Sequence, residues 1–153
     1  MNQNIADNNT ENAPVSPTPD KVEENTKEKA AAKMRKQMEE TLRTVSKGEI
    51  RLDKPIRASG SDVTVLRYDF TKLTGWEFAR ALDRDTSSKT SAFRLTQMQA
   101  LELFAAAAAK ETPGVDEEDI RTRMSISDAV TASQIAVVFF NLTSQTASYR
   151  TTN

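Results

Sequence analysis

The sequence predicts an α+β protein, mainly α: one N-terminal β-hairpin followed by a small bundle of three to four helices, preceded by a disordered tail and an amphipathic helix. Three observations carry that expectation. Apolar and polar residues alternate over 49–57 and 63–70, and Ala58-Ser59-Gly60-Ser61-Asp62 between them is rich in turn formers. Two capping boxes, Thr74-Gly75-Trp76-Glu77 and Thr96-Gln97-Met98-Gln99, each signal the start of a helix. A run of apolar side chains, Ile135-Ala136-Val137-Val138-Phe139-Phe140, marks a final helix. The expected boundaries are 1–27 for the tail, 28–47 for the amphipathic helix, 48–144 for the hairpin with its helices, and 145–153 for a flexible C-terminus.

Composition narrows the chemistry. The chain has 153 residues, no cysteine and no histidine. Disulfides, thiolate and imidazole metal sites, Cys-His and Ser-His nucleophiles, and an imidazole base near neutral pH are all excluded. With 21 basic and 22 acidic residues the formal charge is −1, which exerts no general pull on nucleic acid or membrane. The opening residues Met1 to Asn8 lack the basic start and apolar segment of a leader, and no run of about 18 apolar residues occurs, so an unexported protein is expected. No cofactor and no enzymatic activity are expected either.

Along the chain, residues 1–27 carry Pro14, Pro17 and Pro19 and no periodic apolar pattern, which predicts disorder. From Glu28 strong helix formers take over, and Met34, Met38, Leu42 and Val45 fall on one narrow stripe. Such a stripe can dock on the protein's own core, pair with a copy of itself, or grip a partner helix, and methionine adapts to irregular surfaces. Gly48 is placed to end this helix in a left-handed cap. In the hairpin, Ile50, Leu52 and Ile56 share one face, as do Leu66, Tyr68 and Phe70, while Pro55 confines the first strand to an edge or a bulge. A lone pair of strands needs helices, or another sheet, against its apolar face.

After the hairpin, the helix opened by Thr74 turns Phe78, Ala79 and Leu82 inward, and it fades into a polar loop at Asp83 to Ser88. Trp76, the only tryptophan, serves either the core or an interface pocket. The helix opened by Thr96 runs through Lys110 until Pro113-Gly114 and aligns Met98, Leu101, Phe104, Ala105 and Ala108 on one face. Its alanines suit close packing on several sides. Asp116-Glu117-Glu118-Asp119 has the look of a metal cluster, yet consecutive acids also suit the first turn of a short helix. The last helix begins at Ser125 with Asp128, or at Ser127. Ile135, Val138, Phe139 and Leu142 form one stripe and Val130, Val137 and Phe140 the opposite one, so the helix is either central or has a face that binds something.

From Gly48 to Ser144 this order of elements resembles the tail assembly chaperones of tailed bacteriophages. Leu52-Asp53-Lys54-Pro55-Ile56 and Gly60 match that family's hairpin, and Ser127-Asp128 matches the polar opening of its last apolar helix. Where many relatives carry a Pro-Thr pair after the second strand, this chain has Asp69-Phe70-Thr71-Lys72-Leu73-Thr74-Gly75. The resemblance implies a non-enzymatic late protein that binds the long helical tape measure protein, keeps it soluble and helps recruit tail tube subunits. It further implies the host cytoplasm as the site of action and absence from the mature virion. Expected partners are the tape measure protein, the tail tube protein and further copies of the chain, with no nucleic acid and no membrane; the candidate binding residues are Met34, Met38, Val130, Val137 and Phe140. The alternatives are a structural tail or connector subunit, or a small interaction module without a chaperone role.

Overall fold

The computed structural model describes residues 19–83 and 94–150, with side chains for 26–83 and 94–148. Two compact units divide the chain at Met34. The described part of the first is helix, belonging to α1 (Pro19–Val45). The second holds the end of α1, β1 (Lys47–Ala58), β2 (Ser61–Asp69), a single 3₁₀ turn at Phe70–Lys72, α2 (Gly75–Asp83), α3 (Gln97–Glu111), α4 (Glu117–Arg123) and α5 (Ile126–Arg150). One antiparallel hairpin followed by four helices is the expected order.

Helix α1 starts at Pro19, well ahead of the expected Glu28. Proline is tolerated in a first helical turn, where its missing N–H has no partner to lose, and so Pro19 opens the helix it was expected to block. The tail before it, with Pro14 and Pro17, lies outside the described residues. At its other end, Ser46 closes α1: its amide and its hydroxyl both donate to the Leu42 carbonyl, at 2.9 and 2.6 Å. Gly48 is not the cap. It pairs with Tyr68 within the hairpin, and a Cβ there would come 2.8 Å from the Tyr68 hydroxyl oxygen, so glycine is needed for close approach.

The hairpin turns on Ser59 and Gly60, both with positive φ (49° and 81°), between the paired residues Ala58 and Ser61. That two-residue turn has the twist antiparallel strands prefer. Pro55 sits in a bulge as expected: Arg51 pairs with Val65 and Ile56 with Val63, so residues 52–55 of β1 face Thr64 alone. Ile50, Leu52, Ile56, Leu66, Tyr68 and Phe70 are all buried, as their alternation predicts.

They lie on α3. Phe104 is fully buried, with its ring centroid 5.3 Å from that of Tyr68 and 6.5 Å from that of Phe70. Ala100, Ala105, Ala107 and Ala108 have no exposure, consistent with a helix packed on several sides. Helix α5 packs against α3 through Ala132 and Ala136, also fully buried, and stacks Phe139 on Phe70 at 4.4 Å. Alanine lets helix axes approach closely, so α5 turns its small residues inward, and the stripe of large ones is rotated from where hydropathy puts it. Val138, expected inside, is 44% exposed.

Further departures share that cause: the docking partner sets a helix's rotation. In α2, Ala81 is buried and Ala79 is exposed. In α3, the Gln99 amide donates to the Leu82 carbonyl at 2.7 Å, which faces Gln99 inward and leaves Met98 exposed. Helix α5 runs on to Arg150 instead of fraying at Ser144, with Thr146 buried in its last turns and the hydroxyls of Thr143, Thr146 and Ser148 turned back to carbonyls of the same helix. Beyond Asp83, the expected polar loop lies outside the described residues.

One hydrogen bond joins the two ends of this domain. Ser125 caps α5, accepting from the Asp128 amide at 3.2 Å and donating to Asp128 Oδ2 at 2.7 Å. The other carboxylate oxygen, Oδ1, accepts from the Asp53 amide in the bulge at 3.0 Å, and Asp128 is buried. Asp128→Ala is therefore expected to cost about 2 kcal/mol by removing the cap and leaving the bulge amide unpaired, whereas Ser125→Ala, which spares the bulge contact, costs about 1 kcal/mol. Urea denaturation of both variants checks the difference.

Candidate interaction site

Among the described residues, no group of three or more acids gathers as a metal site. The acidic run is used within the fold instead. Asp116 accepts from the Asp119 amide at 2.7 Å and so caps α4, while Glu117 meets Arg80 and Glu118 meets Arg121, each at 2.5 Å, and Asp119 meets Arg123 at 2.9 Å. Arg121 also reaches the buried Glu102 at 2.7 Å. The basic residues of the hairpin, Arg51, Lys54, Arg57 and Arg67, are exposed and interleaved with acids, with Arg67 at 3.8 Å from Glu49. Neither feature makes a site.

The exposed apolar side chains are the remaining candidates. Met34 is 64% exposed, and Met38, Leu42 and Val45 are half-buried, yet none of the last three belongs to the core cluster. On α5, Val130 and Val138 are 40% and 44% exposed, Ile126 is exposed, and Val137 is half-buried. Val137 and Val138 line an open groove of about 440 Å³ with Gln134, Leu95 and Gln97. Of the five residues expected to bind a partner, Phe140 is misplaced: it is 4% exposed and stacks on Phe78 at 6.0 Å. About 40° of helix rotation separates it from Ala136, so it follows the buried alanines and not the exposed valines.

Reading the sequence for apolar stripes missed both Val138 and the groove. The signal that finds them is charge: from Ala129 to Tyr149 no residue is charged, in a chain where 28% are. Soluble helices ordinarily carry charge on the face turned to water. By length and composition Ile126–Ser148 would also pass for a membrane span, as the buried core helices of soluble proteins can; here 28% of the apolar stretch is buried, including Ala132 and Ala136.

Trp76 is 78% exposed, so the core reading is corrected. It lines a shallow depression of about 280 Å³ with Ala79, Arg80 and Asp83. Directly behind it, Glu77 completes the capping box with Thr74, accepting from the Thr74 amide at 2.8 Å and from Lys110 Nζ at 2.7 Å. The Lys110 ammonium, and then the Thr74 donors, pull the Glu77 carboxyl down to about 2. The contribution of Glu77 to stability is therefore complete above its ordinary value of 4.5 and is lost as pH falls toward about 2.

Two outcomes are expected. The stability gap between wild type and Glu77→Gln, measured by urea denaturation, narrows as pH is lowered from 5 to 2 and is constant above. The fluorescence of Trp76 emits as a solvated indole in the native protein and is quenched by acrylamide almost as readily as in urea. Comparison of the chain with protein-family models, with curated proteins and with solved structures finds no match.

Proposed function

We propose that this protein is a tail assembly chaperone of a tailed bacteriophage, which binds the tape measure protein, keeps it soluble and helps recruit tail tube subunits. The observation that carries the reading is the uncharged, partly apolar outer face of α5 with its open groove. A long amphipathic helix without its final partners needs such a surface, and a groove that recognises apolar shape tolerates varied sequence. Met34 and Met38 on α1 and Val130, Val137 and Val138 on α5 supply the contacts; Phe140 supports them from within. The protein acts in the host cytoplasm before the tube closes and leaves with the arrival of tube protein, so it is absent from the finished particle. No bound nucleotide is needed, because competing contacts drive release.

The hairpin weighs in the same direction. Two strands are too few for the ring-closing sheet of a tube subunit, and their outer edges already meet side chains of α4, α5 and the end of α3. The link between the bulge at Asp53 and Asp128 also joins the two segments that carry the family resemblance.

Co-expression with the tape measure protein tests the reading. Wild type is expected to shift that protein from the pellet to the soluble fraction and to co-purify with it. Val130→Asp/Val138→Asp, at two exposed positions, loses both effects while keeping its native melting transition. A tape measure protein that stays in the pellet with the wild type present overturns the chaperone reading.

A further inference from the structure

Helix α2 has two unlike faces. One carries the buried Ala81 and holds α2 to the domain, with Phe78 stacked on Phe140 and the Leu82 carbonyl accepting from Gln99. The other carries Trp76, Ala79, Arg80 and Asp83, all exposed, which share one side of the helix and line the depression of about 280 Å³. Charge on this outer face is not balanced. Arg80 is committed to Glu117 at 2.5 Å, whereas Asp83 makes no hydrogen bond or ion pair with any described residue. Asp83 is also the last residue of α2, where the helix dipole already presents negative charge. At the opposite end of the same helix, Glu77 is held by Thr74 and Lys110. We propose that the outer face of α2 seats a lysine or arginine side chain of a partner polypeptide, its aliphatic stem against Trp76 and Ala79 and its cationic head at Asp83.

Charge complementarity selects this occupant. The indole attracts a cation to its ring face and offers apolar area to the stem, while Asp83 and the C-terminal end of α2 supply negative charge for the head. An anion would face the free carboxylate, and Arg80 could turn to it only by giving up Glu117. An apolar side chain would take the carboxylate out of water with no partner. At a rise of 1.5 Å per residue, the Cα atoms of Trp76 and Asp83 lie roughly 10 Å apart, a span that suits an outstretched basic side chain better than a compact ammonium ion. Contact between a cation and a ring this exposed is weak by itself, so the side chain arrives on a polypeptide that adds contacts of its own. The seat does not rest on the chaperone reading.

Trp76 is the only tryptophan, so its emission reports on the seat directly. The full chain is titrated with tetra-arginine, tetralysine, tetraglutamate and tetramethylammonium, from micromolar to millimolar concentration, at low and high salt. The expected result is a saturable change in Trp76 emission with the two basic peptides, weakened by salt, and none with the other two. Asp83→Asn is expected to weaken that binding about threefold. The same substitution removes an acid from the negative end of a helix and is expected to raise the melting temperature by about 1–2 °C, which separates lost binding from lost folding. Arg80→Gln, which removes the neighbouring cation, is expected to tighten binding. Asp62→Asn makes the same change of net charge in the hairpin and is expected to leave binding unaltered. No saturable change with either basic peptide overturns the proposal. So does an equal response to tetraglutamate or tetramethylammonium, binding untouched by Asp83→Asn, or an equal loss in Asp62→Asn.

Discussion

Two strands do not hold together unaided in water, so the domain depends on the contact between the hairpin and α3. Tyr68 reaches down from β2 and Phe70 from the 3₁₀ turn that follows it, and Phe104 meets both from α3, with Phe139 of α5 closing the stack over Phe70. Aromatic pairs at such separations add roughly 0.5–1.5 kcal/mol each beyond simple burial. The rest follows from what this cluster demands. Gly48 makes room beside the Tyr68 ring, the alanines of α3 let α5 come close enough for Phe139 to stack, and α2 packs Phe78 against Phe140 at the margin.

Much of this was legible in the residues. Alternation over 49–57 and 63–70 identified the buried face of the hairpin because one face of a two-stranded sheet has nowhere else to go, and Pro55 marked the bulge because it cannot donate to a partner strand. The boxes at Thr74 and Thr96 opened helices where expected because the reciprocal hydrogen bonds are local and independent of packing. Rotation of the helices about their axes was less legible. It is set by which neighbour comes nearest, and hydropathy favours large side chains over the alanines that allow the nearest approach. Val138, Ala79, Met98 and Phe140 were all misplaced for that reason. Trp76 was misjudged on size: a large ring buries well on average, but among the described residues it stands 78% exposed on the outer side of a nine-residue helix.

Charge is distributed unevenly, and that unevenness separates scaffold from surface. Around α2, α3 and α4, acids and bases are matched locally: Glu77 with Lys110, Lys72 with Glu111, and Arg121 with Glu102. Pairs as exposed as Lys72 with Glu111 contribute little individually, yet together they fix which helix faces which. Among the described side chains of α5 only the buried Asp128 is charged, and it meets a backbone amide and a hydroxyl, not a base. The outer face of α5 depends on shape and on amide groups, the kind of surface on which one partner can be exchanged for another without a large electrostatic penalty.

The hairpin's edges have a consequence for how the protein behaves when crowded. On β1 the Asp53 amide is taken by Asp128 and the Arg57 carbonyl by Arg123; on β2 both backbone groups of Arg67 are taken by the Thr112 hydroxyl. Strand edges left open recruit further strands without limit, which is the route to fibrils. Here helices have reached round to occupy them. The described edges of the hairpin are thereby shielded from open-ended addition of further strands, the one kind of self-association that never terminates.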